Sequence, residues 1–263
     1  MKKGETKKHL IVLGHNGMLG RMVCRYFKDK TTLETRYDPK NPQTFIDHVQ
    51  NACKEDAINY IINCIGVIPQ KKPSEMDFFA VNTMLPILLA CSLKGNQYLI
   101  NPGTDCIQEN NKTATTAYGS SKLASMLALE KYPRCISTLC SIVGPDSDYG
   151  LMGWLLSQDK YTNIQGYTNH YWNGITTLYW CQLVEEHILN QHGLHLHKIY
   201  RFGSDTVSKY MMLELFALTF QRTDLKIDAR ETRETIHRLV EDLYVKKQFS
   251  KQLEELKAFM NNH

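Results

Sequence analysis

The chain of 263 residues has little that would place it in a membrane, at a metal centre or on nucleic acid. No apolar stretch has the length of a membrane span, and no continuous hydrophobic segment follows the N-terminal lysines, so neither an anchor nor an export signal is expected. The eight cysteines form no CxxC pair, and several lie inside apolar runs such as Ile61-Ile62-Asn63-Cys64. They read as buried, reduced thiols of a cytoplasmic protein, and no His, Cys or carboxylate spacing marks a metal site. Lys and Arg exceed Asp and Glu by only 31 − 27 = 4, an excess too small and too spread out for a nucleic-acid partner. Lys2, Lys3, Lys7 and Lys8 make residues 1–8 a basic tail. There is no internal repeat and no low-complexity linker.

What is present is an alternation. Strand-like apolar runs occur at Leu10–Leu13, about Thr31–Tyr37, Tyr60–Cys64, Gln97–Asn101, Cys135–Ile142 and Lys198–Phe202. Between them lie segments of helical apolar spacing, among them Met18–Phe27, Phe78–Leu93 and Ser120–Glu130. Such alternation predicts an α/β fold with a doubly wound parallel sheet, whose ligands bind at the carboxyl ends of the strands. Gly14, Gly66, Thr104 and Gly144 each follow a strand-like run. The stretch from Arg230 to Met260 is charged and periodic and is expected to form terminal helices.

Two motifs carry chemistry. Gly14-His15-Asn16-Gly17-Met18-Leu19-Gly20 lies between the first strand-like run and a helix, the context that a dinucleotide turn needs. Gly14 permits the turn, Gly17 lets the backbone approach a pyrophosphate, and Gly20 lets helix and strand pack closely. The helix N-terminus then offers free N–H groups to phosphates. Farther on, Tyr118 and Lys122 are four residues apart and share a helix face. A cation beside a tyrosine favours the phenolate and brings its pKa toward a range useful for proton transfer. Tyrosine and lysine beside a dinucleotide point to carbonyl reduction.

These pieces, with Asn63-Cys64-Ile65-Gly66, Val81-Asn82, Thr104-Asp105-Cys106 and Trp172-Asn173-Gly174-Ile175-Thr176-Thr177-Leu178, resemble the extended short-chain dehydrogenase/reductase superfamily. Within it they resemble the dTDP-4-dehydrorhamnose reductase branch, over about Leu10–Phe202. The resemblance implies a Rossmann-type domain over residues 9–150, with a strand and helix returning near 175–205. Residues 151–263 would then be mainly a smaller substrate-binding lobe with C-terminal helices.

By the same resemblance Tyr118 is the catalytic acid, Lys122 holds the nicotinamide ribose and lowers the Tyr118 pKa, and Thr104 hydrogen-bonds the substrate carbonyl. Gly14, Asn16, Gly17, Met18 and Leu19 would hold the cofactor together with Ile65, Gly66 and Val67, while Asn82 supports that loop or touches the cofactor. Thr168, Asn169, Trp172 and Asn173 are expected on the substrate side, with Asp105 near the sugar.

Arg36, near the end of the second strand, favours NADPH, with NADH as a second cofactor because Asp38 is close by. Cys106 stands where a dehydratase has a second carboxylate, which favours reduction over elimination. The short interval from Thr104 to Tyr118 departs from the family and leaves the pocket more open. The expected activity is reduction of the 4-keto group of a nucleotide-linked 6-deoxyhexose, by a soluble homodimer. The alternatives are a non-catalytic NADP-binding regulatory subunit of the same fold or a sugar-nucleotide epimerase/reductase.

Overall fold

The structure, a computed structural model, describes residues 7–109, 112–113, 116–146, 149–191 and 198–262. Most of the basic tail, including Lys2 and Lys3, falls outside them.

A seven-stranded parallel sheet organises the chain. Its order from one edge is Val245–Lys246, Ile199–Gly203, Cys135–Leu139, Gln97–Pro102, Ile58–Asn63, Lys8–Leu13 and Lys30–Thr32. The strands are nearly all apolar because helices cover both faces. With a side-chain period of two, each strand feeds both layers. Leu10, Val12, Tyr60, Ile62, Ile100 and Ile136 enter one core with Met22, Val23, Trp180 and Val184. Ile11, Leu13, Ile61, Leu99 and Cys135 enter the other with Phe45, Val49, Leu85 and Leu89.

The strand order reverses beside the first strand, which pairs with Lys30–Thr32 on one side and Ile58–Asn63 on the other. Crossover helices therefore leave on opposite faces, and a crevice opens at the carboxyl ends of the first and third strands.

The helix expected over Phe78–Leu93 runs from Glu75 to Ser92 and begins with a capping box in which the Ser74 and Asp77 side chains each accept the other's backbone N–H. By length and composition it could cross a membrane, contrary to the sequence reading, yet Leu85, Leu89 and Ala90 are buried in the layer on the sheet. Its middle, Phe79–Met84, is a π-helix. Pro86 has no N–H to give the Asn82 carbonyl, which accounts for the widened turn and leaves Asn82 facing inward.

Two other expectations are corrected. The second strand is only Lys30–Thr32, not Thr31–Tyr37, because pairing with the first strand covers only Leu10 to Val12. Arg230–Met260 is not a run of helices. It holds strands Ile236–Arg238 and Val245–Lys246 before the single helix Phe249–Asn261. Tertiary pairing overrides the charge periodicity there: Ile236–Arg238 lies along His170–Trp172, and Val245–Lys246 along Phe202–Gly203.

A smaller lobe sits beside the sheet. It comprises the three-stranded sheet Val207–Ser208, His170–Trp172 and Ile236–Arg238, the parallel pair Asn163–Tyr167 and Lys226–Arg230, and the helix Lys209–Thr219.

Gly20 gives the tightest contact on which the crevice depends. A Cβ there would overlap the Gly14 carbonyl oxygen. Gly20→Ala is expected to lower unfolding free energy by about 2–4 kcal/mol, measured by urea denaturation. Gly95→Ala, with no atom within 4 Å of an added Cβ, is the control and should change little.

Candidate active site

The crevice is a cleft of about 1270 Å³ lined by residues from the glycine turn, the loops after the third, fourth and fifth strands, and Arg238 of the smaller lobe. Gly14 adopts φ +74°, and a Cβ there would lie 2.9 Å from the Ile65 backbone nitrogen. Only glycine fits this contact between the two loops. The helix Met18–Tyr26 starts behind Gly17 with no side chain capping it, so its first N–H groups remain available to an anion. Asn16, Gly17, Met18, Leu19 and Arg21 line the cleft here. An uncapped helix start, an exposed glycine and a cleft of this size fit the diphosphate of a dinucleotide.

The cleft floor is set by buried amides. Asn63 donates to Asn101 Oδ1 at 2.9 Å and accepts the Ile65 N–H at 3.2 Å, fixing the loop that carries Ile65 and Gly66. Asn82 clamps the next residue at two points, accepting the Val67 N–H at 2.9 Å and donating to its carbonyl at 3.0 Å. This consumes the carboxamide, so Asn82 supports the loop and does not line the cleft.

The helix Ala117–Leu129 is capped by Thr116, whose hydroxyl accepts the Gly119 N–H at 3.1 Å. Tyr118 and Lys122 project from its first turns into the cleft. The Phe78 ring meets the Tyr118 ring edge-on at 5.8 Å. Lys122 Nζ donates to the Pro102 carbonyl at 3.3 Å and stands 3.6 Å from where a Gly66 Cβ would be. Thr104 ends the fourth-strand loop. It accepts the Cys106 N–H at 3.3 Å, donates to Asp105 Oδ1 at 3.2 Å, and its hydroxyl also reaches the Tyr118 side chain.

Electrostatics here differ from the simple expectation. Burial pushes the Tyr118 phenol up to about 12, with Cys106 and Asp105 adding to the rise and the Thr104 hydroxyl opposing it. Lys122 is not among the causes. Burial instead brings Lys122 down to about 8. The tyrosine is therefore a protonated donor through neutral pH, the state that ketone reduction requires. The Cys106 thiol is pushed up to about 11 by burial and by Asp105, and so stays protonated.

Of the residues singled out in the sequence, Asn16, Gly17, Met18, Leu19, Ile65, Gly66, Thr104, Asp105, Tyr118 and Lys122 meet in this one cleft. Val67 lies behind it with Asn82, and Arg36 is exposed outside it. The acidic residue closer to the end of the second strand is Glu34, whose carboxylate lies 3.4 Å from His15 Nε2 in the glycine turn.

The four substrate-side residues are elsewhere. Trp172 is 2% exposed and packs edge-on against Phe249 at 5.0 Å. Asn169 donates to the Thr232 and Glu234 carbonyls, and Asn173 exchanges two bonds with the Val240 backbone, both at 2.9 Å. Thr168 donates its N–H to the Arg230 carbonyl at 2.9 Å. The polar atoms of Thr168, Asn169 and Asn173 bind the 230–240 segment to the lobe. Ile142, Tyr149 and Arg238, none of them expected as site residues, also line the cleft. Arg238 gave no sequence signal because it sits in a segment whose pattern reads as helix.

A doubly wound sheet with a glycine turn, and with hydroxyl, phenol and ammonium groups in one crevice, defines the nucleotide-dependent oxidoreductases of the short-chain type. Residues 10–150, more than half of the chain, match the NAD dependent epimerase/dehydratase family, and the chain belongs to it. It is thus an NAD(P)-dependent enzyme of oxidoreductase type.

No curated protein matches the sequence. Among solved structures, dTDP-4-dehydrorhamnose reductase from Bacillus anthracis str. Ames in complex with NADP superposes with a TM-score of 0.78 at 12% identity, covering 98% of this chain and 100% of that one. The ortholog from Clostridium acetobutylicum gives 0.77 at 12% identity, covering 96% and 99%. A dTDP-glucose 4,6-dehydratase from Bacillus anthracis str. Ames in complex with NAD gives 0.68 at 14% identity, covering 97% of each chain. At these identities the likeness is one of fold.

Lys122 has a measurable cost. An ammonium whose folded pKa is near 8 against an ordinary 10.5 destabilises the protein fully below about pH 8, and the penalty fades as pH rises to the ordinary value. Lys122→Met is therefore expected to raise the stability of the cofactor-free protein at pH 7 by on the order of 1–3 kcal/mol. By calorimetry, the gain should narrow between about pH 8 and 10.5.

Proposed function

We propose that the chain reduces the 4-keto group of a nucleotide-linked 6-deoxyhexose with NADPH, and with NADH as a second cofactor. The observation that carries this reading is the meeting of the Thr104 hydroxyl, Tyr118 phenol and Lys122 ammonium in the cleft that also holds the uncapped start of Met18–Tyr26. The reduced nicotinamide supplies the hydride.

The protein's part is to orient the ketone and deliver a proton. Tyr118, protonated through neutral pH, donates to the ketone oxygen, and the Thr104 hydroxyl, turning its one hydrogen from Asp105 Oδ1 to the substrate, donates a second hydrogen bond as negative charge develops there. Lys122, beside Gly66 and the Pro102 carbonyl, is placed to hold the ribose hydroxyls and balance the phenolate after transfer. Asn63, Asn82 and Asn101 hold the loops rigid so that the three groups keep their spacing. Asp105 followed by Cys106, a protonated thiol, leaves no second carboxylate for elimination of water, which supports reduction over dehydration. The dTDP-4-dehydrorhamnose reductases of the same fold support the choice of sugar. A homodimer in the cytoplasm belongs to the same reading.

The test is purified protein with NADPH and dTDP-, UDP- and GDP-linked 4-keto-6-deoxy sugars, following absorbance of the reduced cofactor. Substrate-dependent oxidation is expected with at least one, and none with any would defeat the reading. Tyr118→Phe should lower kcat by roughly 10²–10⁴-fold while NADPH affinity stays within about twofold. Arg36→Ala should weaken NADPH more than NADH by titration of cofactor fluorescence. Equal effects would remove Arg36 from the 2′-phosphate and leave Glu34 to decide cofactor choice.

A further inference from the structure

Two consecutive residues of the π-helical turn Phe79–Met84, Asn82 and Thr83, are both buried. Successive side chains of an α-helix point about 100° apart, whereas the wider π turn brings them closer to one face. Both reach the same residue of the helix Ala117–Leu129. The Thr83 hydroxyl donates to the Ser121 carbonyl at 2.7 Å, and the second hydrogen of the Asn82 amide goes to the Ser121 hydroxyl at 3.4 Å. A threonine inside a helix can return its hydroxyl to a carbonyl one turn back. Thr83 instead crosses to a neighbouring helix, where a carbonyl has a second lone pair to offer.

Ser121 is wholly buried, one residue before Lys122 and three after Tyr118, and its own hydroxyl donates to the Tyr118 carbonyl at 2.8 Å. On the other side, Asn82 holds Val67 by two bonds. Gly66 lies between these ties: a Cβ there would be 3.5 Å from Asn82 Oδ1 and 3.6 Å from Lys122 Nζ. Phe78, immediately before the π turn, sets its ring edge-on against Tyr118. A single stretch of helix therefore touches the loop that carries Gly66, the phenol, and the backbone beside the ammonium. Neither Thr83 nor Ser121 lines the cleft itself.

Packing does not require the Thr83 hydroxyl. Leu85 and Leu89 already bury this helix in the layer on the sheet, and valine has the shape of threonine without the donor. Apolar contacts let packed helices slide slightly past each other, whereas a directional bond of 2.7 Å fixes register along the axis. Register matters at this point, because a misplacement of about 1 Å can cost roughly 10²-fold in rate.

We propose that Thr83 is a positioning residue: its bond to Ser121 locks the helix bearing Tyr118 and Lys122 in register with the Gly66 loop, so that both groups meet the bound cofactor. This rests on the reductase reading for the roles of Tyr118 and Lys122, and the experiment separates the two.

The first arm uses no substrate. NADPH affinity is measured by titration of cofactor fluorescence for wild type, Thr83→Val, Lys122→Met and the double variant. Thr83→Val should weaken NADPH by roughly 3–10-fold in the wild-type background and by less than about twofold in the Lys122→Met background. Thr83→Ser, which keeps the hydroxyl, should bind as wild type does. Equal losses in both backgrounds, no loss in either, or a Thr83→Ser as weak as Thr83→Val overturns the proposal. Thr83→Ala replaces Thr83→Val should the latter fail to fold.

The second arm follows turnover with NADPH and the 4-keto-6-deoxy sugars, well below the urea midpoint of each variant. Thr83→Val should lower kcat by about 10-fold with the sugar KM little changed, and Thr83→Ser should restore it. A Thr83→Val that is less stable but turns over like wild type has lost only packing, and overturns the proposal. Absence of turnover by wild type counts against the reductase reading, and the binding cycle then decides the tie between Thr83 and Lys122 alone.

Discussion

A parallel sheet covered on both faces by helices has room for polar chemistry only where its strands end, and this constraint organises the molecule. Leu10 to Leu13 and Tyr60 to Ile62 are wholly committed to the two cores, so the next residues in each chain segment, Gly14 and Asn63, are the first free to turn or to hydrogen-bond. The strand order reverses between these two segments, and their loops separate instead of covering one another. The crevice follows from that reversal. Gly14 against Ile65 and Gly20 against the Gly14 carbonyl keep its walls close enough for backbone N–H groups to line it.

Burial works on the side chains gathered there as strongly as proximity does. The Tyr118 phenol rises and the Lys122 ammonium falls for the same reason, loss of water around a charged form. The result is a proton donor that stays protonated and a cation held at a cost in stability. Strain of this kind is common where a site must be ready before its ligand arrives. The amides of Asn63, Asn82 and Asn101 take no charge themselves. They tie the loops beneath the site, and the π-helical turn around Asn82, imposed by Pro86, aims one of those ties.

The smaller lobe contributes in a different way. Asn169 and Asn173 bind the segment 230–240 by its backbone, and that segment presents Arg238 to the cleft. The amides and the Trp172 indole that looked suited to sugar recognition thus frame a segment that brings a residue into the cleft lining. Trp172 is a buried platform for Lys209 on one side and Phe249 on another.

The sheet, the glycine turn and the Tyr118–Lys122 pair were legible in the sequence because each is encoded locally. Strand burial appears as consecutive apolar residues, a dinucleotide turn needs glycine at fixed offsets, and a shared helix face is a spacing of four. Edges and distant contacts were not legible. The strand Ile236–Arg238 reads as helix because its pairing with His170–Trp172 lies more than sixty residues back along the chain. The same distance hides the fate of Asn169 and Asn173, since an amide's role depends on which backbone reaches it.

Sequence alone determined the fold class and the chemical groups available. Tertiary structure decided which of them face the cleft, how burial shifts Tyr118, Lys122 and Cys106, and that Arg238 of a distant segment joins them there. The physical reason is that desolvation and charge–charge energy depend on distances through space, which no local spacing along the chain records.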